Sequence, residues 1–169
     1  MGGFSGESFR IRRLADRLEA ETCAGMMAAS DPWTTLGRGY CELLKIISEP
    51  SREVYVATVG DEIAGLIVIE MSGAFTGYVK SICVSPGLRG RGVGAALMSY
   101  VEDRIFREAP NVFLCVSDFN VGAQRFYRRL GYETVGELRD YVVAGHSEIL
   151  MRKTVAPLAD FKKDANTQR

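Results

Sequence analysis

Hydrophobic residues recur with two different periods along the chain, and the two periods predict strands and helices in a definite order. Alternating or short continuous apolar runs predict strands at 8–14, 52–71 (two strands joined at Gly60-Asp61), 77–84, 111–117 and 132–154 (two strands around Ala144-Gly145). Runs rich in helix formers predict helices at 15–30, 31–48, 94–109 and 120–131. The order β-α-α-β-β-β-α-β-α-β-β describes one α/β domain, with hairpin-connected strands around a central strand–loop–helix–strand unit.

The third and fourth predicted helices carry the clearest local signals. The third ends before Pro110 and places four apolar residues on one face: Leu97, Met98, Val101 and Ile105. The fourth is short, with Asn120 placed to cap its first turn and Gly131 to close its last turn. Residues seven apart lie within about 20° of the same helix face, so we expect Asn120 and Tyr127 to point to one side.

Length and charge limit the classes of function. The chain has 169 residues, of which 47% are hydrophobic, and this suits one domain with a substantial core. Lys plus Arg equals Asp plus Glu, 21 each, so no overall field attracts the protein to nucleic acid or to a membrane surface. No apolar run approaches the about 20 residues that span a bilayer. We therefore expect no nucleic acid and no membrane as partner, and any anion site must be local.

The N-terminal residues and the cysteines favour a cytoplasmic protein. The first residues lack the basic and apolar regions of a signal peptide, and Gly6 stands where a myristoylation signal requires Ser or Thr. The four cysteines, Cys23, Cys41, Cys83 and Cys115, form no CxxC pair and have no metal-ligand spacing. We expect no metal site, and we expect reduced, buried, structural thiols.

A glycine-rich loop separates the strand 77–84 from the third helix. It holds four glycines and two arginines, in the order Gly87, Arg89, Gly90, Arg91, Gly92, Gly94. A strand that ends in such a loop and leads into a helix suits a phosphate group, because the first N–H groups of the helix are unpaired. The alternative is a loop that only turns the chain. A Walker A loop is excluded by Ala95 and Ala96 after Gly94, and Asp118 is poorly placed for a dinucleotide fingerprint.

Two motifs resemble those of the GNAT superfamily of N-acetyltransferases. Arg89-x-x-Gly92-x-Gly94 is similar to the acetyl-CoA-binding signature of that family, and residues 120–132 are similar to its following Asn, Ala, Tyr and Gly-aromatic segment. The resemblance covers roughly residues 9–154, so we expect one domain at 1–154 and a polar tail at 155–169. It implies a mixed, mostly antiparallel six- to seven-stranded sheet. About four helices would flank this sheet, and it would be splayed at a central parallel strand pair.

The resemblance also implies an acetyl-CoA site. The pantetheine arm would contact the backbone of Ile82, Cys83 and Val84, much as an added strand would. The pyrophosphate would rest on the loop and helix start, formed by Arg89, Gly90, Arg91, Gly92, Val93, Gly94 and Ala95. Asn120 and Tyr127 would lie near the thioester. Packing alone remains an alternative for both, with Asn120 as a cap and the Tyr127 hydroxyl on a backbone carbonyl.

The implied chemistry is direct attack of a primary amine on the thioester, through a tetrahedral intermediate. Tyr127 would be the general acid that protonates the leaving sulfur, and a backbone N–H of the strand at 82–84 would polarise the carbonyl. No covalent enzyme intermediate is needed, so Cys83 and Cys115 are not expected as nucleophiles. The general base is open: the family's strand glutamate is absent from Leu114-Cys115-Val116, and the choice is between Glu70, Asp118 and water.

The acceptor and its site stay open at this level. Trp33 and Tyr40 either line the acceptor site or pack the helical lid, and the lone His146, at a hairpin turn, is either exposed or helps to bind substrate. The amine belongs either to a small molecule or to a protein N-terminus or lysine. A non-catalytic CoA-binding module of the same fold is the alternative function. An exposed C-terminal strand would allow pairing into a homodimer.

Overall fold

The computed structural model describes residues 9–162, so residues 1–8 and the end of the expected polar tail lie outside the described residues. Within them, the strands and helices follow the predicted order. They are β1 (Arg10–Arg13), α1 (Arg17–Ala28), α2 (Tyr40–Ser48), β2 (Arg52–Val59), β3 (Glu62–Glu70), β4 (Tyr78–Val84), α3 (Val93–Ile105), β5 (Asn111–Ser117), α4 (Val121–Arg129), β6 (Glu133–Leu138) and β7 (Glu148–Thr154).

The second predicted helix is shorter than the sequence pattern indicated. Residues 31–37 form turns, and α2 begins only at Tyr40. The Asp31 carboxylate accepts hydrogen bonds from the Thr34 hydroxyl and from the Thr35 hydroxyl and amide, the last two at 2.7 and 3.2 Å. Such local bonds offer the backbone an alternative to helix, and Asp31 therefore holds this segment as a loop between α1 and α2.

The strands form one mixed sheet in the order β1-β2-β3-β4-β5-β7-β6. Only β4 and β5 are parallel, and they pair only at Tyr78 with Phe113 and at Val79 with Leu114. Beyond these positions the two strands have no ladder contacts, so the expected splay at the central parallel pair is confirmed. The C-terminal strand β7 lies between β5 and β6, and the edges are β1 and β6. The expectation that the C-terminal strand is free to pair with a second copy is therefore wrong.

The core forms two clusters, one on each face of the sheet. Helices α3 and α4 cover one face, and the four residues predicted on the apolar face of α3 are all fully buried, which confirms that prediction. Helices α1 and α2 cover the other face over β2, β3 and the end of β4. Cys23 and Cys83 lie in this second cluster, Cys115 is half-buried, and Cys41 is exposed in the first turn of α2. The expectation of buried thiols is thus wrong for Cys41. None of the described helices is long and apolar enough to cross a membrane.

Gly77 sets the point at which β4 joins both neighbouring strands. Its amide donates to the Glu70 carbonyl at 3.1 Å, and its own carbonyl accepts from the Phe113 amide at 3.0 Å. Its φ is +85°, and a Cβ there would lie 2.5 Å from Cγ2 of Ile105 and 2.6 Å from the carbonyl oxygen of Asn111. A residue with a Cβ is therefore excluded here for two reasons: the Cβ would clash, and residues other than glycine rarely adopt this positive φ.

We expect Gly77→Ala to lower the free energy of unfolding by roughly 2–4 kcal/mol, because strain at positive φ is added to the backbone clash. Urea unfolding of the purified protein measures this loss. Gly73→Ala is the matched control, since Gly73 has φ +88° and open space around its missing Cβ. The control should lose only about 1–2 kcal/mol, and equal losses in the two variants would show that the contact with Asn111 does not matter.

Candidate active site

A large cleft opens where β4 and β5 separate, with a volume of about 950 Å³. Parts of β4, β5, α4 and the loop before α3 line it, together with the α1–α2 loop and the β6–β7 connection. Of the twelve site residues predicted from the sequence, all line the cleft except Arg91, which is exposed, and Val93, whose side chain is buried in the core. Trp33 also lines it, whereas Tyr40 does not.

The glycine-rich loop leaves the start of α3 open. Gly90 and Gly92 have φ of +76° and +90°, and Gly92 is the N-cap of α3, where it offers no side-chain oxygen to the first amides. By contrast, Asp16 caps α1 through the Glu19 amide at 3.0 Å. Uncapped N–H groups at a helix start attract anions through hydrogen bonding and the helix dipole. The loop therefore suits a phosphate group at this end of the cleft.

Arg89 points back towards β4 and the α1–α2 loop. Its Nε donates to the Val84 carbonyl at 3.1 Å, and one Nη donates to Ser30 Oγ at 3.3 Å. Hydrogen bonds from Thr34 and Thr35 are the main cause of the lowered pKa of Asp31, and the nearby Arg89 guanidinium lowers this pKa further. Arg89 thus fastens the end of β4, and part of its hydrogen-bonding capacity is committed there.

The end of β4 presents backbone groups to the gap beside β5. The Ser85 amide donates to the Ala64 carbonyl of β3 at 2.8 Å. Backbone groups of successive residues alternate between the two edges of a strand, so those of Ile82 and Val84 face the gap. Val68 and Ile69 of β3 pair with Ser81 and Val79 of β4, so Lys80 between them has no partner in β3. This bulge shifts by one residue which positions of β4 face β5. An extended ligand in the gap would therefore meet the backbone groups of Ile82 and the amide of Val84, whose carbonyl already accepts from Arg89.

Tyr127 places a phenol in the cleft. Its side chain is only 6% exposed and lies against the rings of Phe126 and Tyr132, with centroids 5.3 and 5.9 Å away. Within residues 9–162 its hydroxyl has no hydrogen-bond partner, and it keeps some accessible surface in the cleft. Burial raises the pKa of Tyr127 above the usual tyrosine value, so the group remains a protonated donor. The alternative of a bond to a backbone carbonyl is not seen among the described residues.

Asn120 combines the two roles considered for it from the sequence. Its Oδ1 accepts from the Ala123 amide at 3.1 Å, which confirms the predicted cap of α4. The side chain also lines the cleft, and its amide group donates no hydrogen bond within the described residues. Capping orients the side chain, so the free NH₂ group is held beside the cleft.

Neither carboxylate considered as a base from the sequence lines the cleft. Glu70 forms an ion pair with Arg52 at 2.7 Å. Asp118 accepts from the Phe119 and Ser147 amides at 2.7 and 3.0 Å, and these bonds lower its pKa below the usual value. His146, 3.6 Å from Asp118 and half-exposed, also lies outside the lining. Glu70 thus ties the ends of β2 and β3 together, whereas Asp118 ties the residues after β5 to Ser147 before β7.

Two carboxylates among the described residues line the cleft: Asp31 from the α1–α2 loop, and Glu148 beside β5, which was missed from the sequence. Glu148 opens β7 directly opposite Ser117, the last residue of β5, and Ser117 Oγ donates to its Oε1 at 2.6 Å. The residue is 6% exposed, and burial raises its pKa above the usual glutamate value. In the sequence it resembles any strand-end glutamate, because only the register of β5 with β7 brings it into the cleft.

Comparison with known proteins identifies the family. The profile of the acetyltransferase (GNAT) family matches residues 14–132, and the chain belongs to this family. It is 36% identical over 101 residues to an uncharacterized N-acetyltransferase, MJ1530, of Methanocaldococcus jannaschii, an alignment that spans 59% of the chain and 64% of that relative. It is 29% identical over 145 residues to the N-alpha-acetyltransferase RimI of Mycobacterium tuberculosis, over 81% of the chain and 87% of that protein.

The fold is also that of a solved acetyltransferase. A crystal structure of an aminoglycoside 6'-N-acetyltransferase complexed with coenzyme A superposes with a TM-score of 0.69 at 18% sequence identity. The match covers 88% of the chain and 98% of that protein. The mixed seven-stranded sheet with its single parallel pair is therefore the fold expected from the two motifs, within the residues that the structure describes.

Proposed function

We propose that the protein is an N-acetyltransferase that moves the acetyl group of acetyl-CoA to a primary amine. The observation that carries the proposal is one cleft in which three features meet. These are an uncapped helix start after a glycine loop, the free edge of β4, and the phenol of Tyr127 without a hydrogen-bond partner among the described residues. The family and the solved relative complexed with coenzyme A support the same ligand. Residues 1–154 would form the catalytic domain, with 155–169 as a polar tail.

The residues fit the parts of acetyl-CoA in order along the cleft. The amides of the segment 90–95 would hold the pyrophosphate, and the charge of Arg89 and Arg91 would support them. The backbone groups of Ile82 and Val84 would pair with the pantetheine amides, with the Cys83 backbone between them. Asn120 would donate its free amide to the same arm. This arrangement leaves the thioester at the separation of β4 and β5, next to Tyr127.

Tyr127 would act as an acid towards the departing thiolate. When the amine nitrogen bonds to the acyl carbon and the C–S bond breaks, the phenol donates its proton to sulfur. A strand N–H at Ile82 or Val84 would stabilise the developing oxyanion. Burial raises the pKa of Tyr127, so the phenol is protonated and available as a donor when the thiolate forms. No cysteine nucleophile is required, and burial raises the pKa of both Cys83 and Cys115.

Titration calorimetry with acetyl-CoA, followed by an amine panel with detection of free CoA thiol, tests the proposal. The panel would contain a short peptide with a free α-amino group, spermidine, and kanamycin as an aminoglycoside. Binding with thiol release for at least one amine is expected. Binding without any transfer would favour the non-catalytic CoA-binding module, and absence of binding by folded protein would refute the proposal. The free thiols suit a reducing compartment such as the cytoplasm, which we propose as the location.

A further inference from the structure

The central cleft has a second mouth on the face of the sheet opposite α3 and α4. On β5, Leu114 and Val116 pack into the core under α3 and α4, so Cys115 and Ser117 face the other way. Glu148 lies directly opposite Ser117 and shares that face. The α1–α2 loop contributes Trp33 and Arg38 to this mouth, and the β6–β7 connection contributes Tyr141 and Val142. We call this region the lid-side mouth.

Glu148 is a buried carboxylate without an ion pair. Among residues 9–162 its hydrogen-bond partner is the Ser117 hydroxyl on Oε1, and no cation bonds to it. Because every fully buried polar atom in the described residues has a partner, Oε2 must keep accessible surface, and it does so in the cleft. Burying a carboxylate without a cation costs free energy. A group kept in this state at a cleft is a candidate for acid–base chemistry.

We propose that Glu148 is the general base that deprotonates the amine. The assignment rests on the acetyltransferase function proposed above. Glu148 and Tyr127 line one cleft from opposite faces of the sheet, with the separation of β4 and β5 between them. A thioester lying in that gap would meet the incoming amine from the lid-side mouth, next to Glu148. Its sulfur would meet Tyr127 from the other side, so base and acid act on opposite sides of the acyl carbon.

Protons and bonds balance in this scheme. The acceptor arrives as an ammonium ion and gives one proton to Glu148, directly or through one water molecule. The free lone pair then forms the N–C bond, the C–S bond breaks, and Tyr127 protonates the sulfur. Glu148 releases its proton to water and then accepts the second proton of the nitrogen, which it also releases, while water returns one proton to the Tyr127 phenolate. The products are the amide, CoA thiol and one proton.

Charged and titratable groups from every neighbouring element affect Glu148. Burial has the largest effect on the Glu148 pKa and raises it. The Ser117 hydrogen bond lowers this pKa, the Asp118 charge raises it, and the charges of Arg38 and His146 lower it. Tyr78 on β4 and Cys115 on β5 also interact with the Glu148 charge. The net shift of the Glu148 pKa is upward. This brings the pKa nearer to neutral pH, and a general base works best when its pKa is close to the working pH. Acetylation should therefore lose rate on the acid side as Glu148 becomes protonated.

The test compares Glu148→Gln with wild type, using the panel amine that gives the highest rate. We expect kcat/KM to fall about 100-fold at neutral pH and the acid limb of its pH profile to disappear, while acetyl-CoA binding is unchanged. Glu137→Gln is the matched control, because Glu137 is an exposed glutamate on the adjacent strand β6 and does not line the cleft. Thermal unfolding confirms that each variant is folded.

A second variant separates a base from a structural carboxylate. Ser117→Ala keeps Glu148 but removes the hydrogen bond that lowers its pKa, so the acid limb should move to higher pH. An unmoved limb, or a Glu148→Gln enzyme that keeps the limb and most of its rate, would overturn the assignment. A wild type that binds acetyl-CoA and transfers to no amine would overturn the proposed function itself, and Glu148 would then have no proton to accept.

Discussion

Replacing Gly94 with aspartate is expected to abolish acetyl-CoA binding while the protein stays folded. Gly94 lies in the first turn of α3, and a Cβ there would meet Phe126 at 3.5 Å and Val84 at 3.7 Å, which are ordinary contacts. The new carboxylate would therefore fit and would point into the cleft between α3, α4 and β4. There it would repel the pyrophosphate and compete for the same amides.

The fold should not suffer, because an acidic residue in the first turn of a helix interacts favourably with the helix dipole. We expect no fall in the thermal unfolding temperature. In calorimetry we expect the dissociation constant for acetyl-CoA to increase at least 100-fold, which is a loss of about 2.7 kcal/mol of binding free energy. Gly25→Asp is the matched control, since Gly25 is exposed in α1 with open space around it. A Gly94→Asp protein that binds normally would show that the glycine loop only turns the chain.

Replacing Tyr127 with phenylalanine is expected to lower kcat about 100-fold or more and to leave acetyl-CoA binding unchanged. The change removes one hydroxyl, which has no hydrogen-bond partner within residues 9–162, so the buried ring and its packing are kept. Only the proton for the departing thiolate is lost. Steady-state rates with the best panel amine, together with calorimetry, measure the two effects separately. Unchanged turnover would remove Tyr127 from the mechanism.

Tyr132 offers a contrasting control for this prediction. Its hydroxyl donates to Glu102 at 2.9 Å in the core, and Lys153 binds the same carboxylate at 2.6 Å. Tyr132→Phe should therefore lower the free energy of unfolding by about 1–3 kcal/mol and leave kcat nearly unchanged. If Tyr132→Phe lowered kcat and left the free energy of unfolding unchanged, Tyr132 and not Tyr127 would be the better candidate for the acid.

Burial of Tyr127 also determines how rates depend on alkaline pH. Its pKa lies above the usual tyrosine value because desolvation disfavours the phenolate, so the acidic form is present at neutral pH and persists above pH 10. A loss of rate that sets in near or below the usual tyrosine pKa must then come from another group. Comparing the alkaline limbs of the wild type and Tyr127→Phe checks this: a limb present in both belongs elsewhere.

Local sequence was sufficient for the features that depend on neighbours along the chain. The apolar spacing from Leu97 to Ile105 predicted the buried face of α3, because side chains three and four residues apart share a face of any helix. Asn120 was predicted as a cap for an equally local reason, since its side chain reaches an amide three residues away. The two glycine-containing motifs indicated the family for the same reason, because each describes one local element: a loop and a short helix.

Groups that act across strands could not be assigned in this way. Glu70, Asp118 and Glu148 all stand at or just beyond strand ends, and nothing in their immediate neighbourhood distinguishes them. Their roles follow from pairing: Glu70 meets Arg52 across β2 and β3, while Asp118 binds the amide of Ser147. Glu148 meets Ser117 across β5 and β7. Partners and burial together determine whether the charge of a carboxylate is neutralised and whether its pKa lies below or above the usual value.

The sequence by itself determined the order of elements, the glycine loop before α3, the cap and phenol of α4, and the family. All of these depend on backbone preferences and side chains within a few residues of each other. Tertiary structure alone decided that β7 is inserted between β5 and β6, that Arg89 turns back to Val84, and that Glu148 is the carboxylate in the cleft beside β5. Strand register and burial join residues that are distant in sequence, and only these contacts set the charge state and exposure of each group.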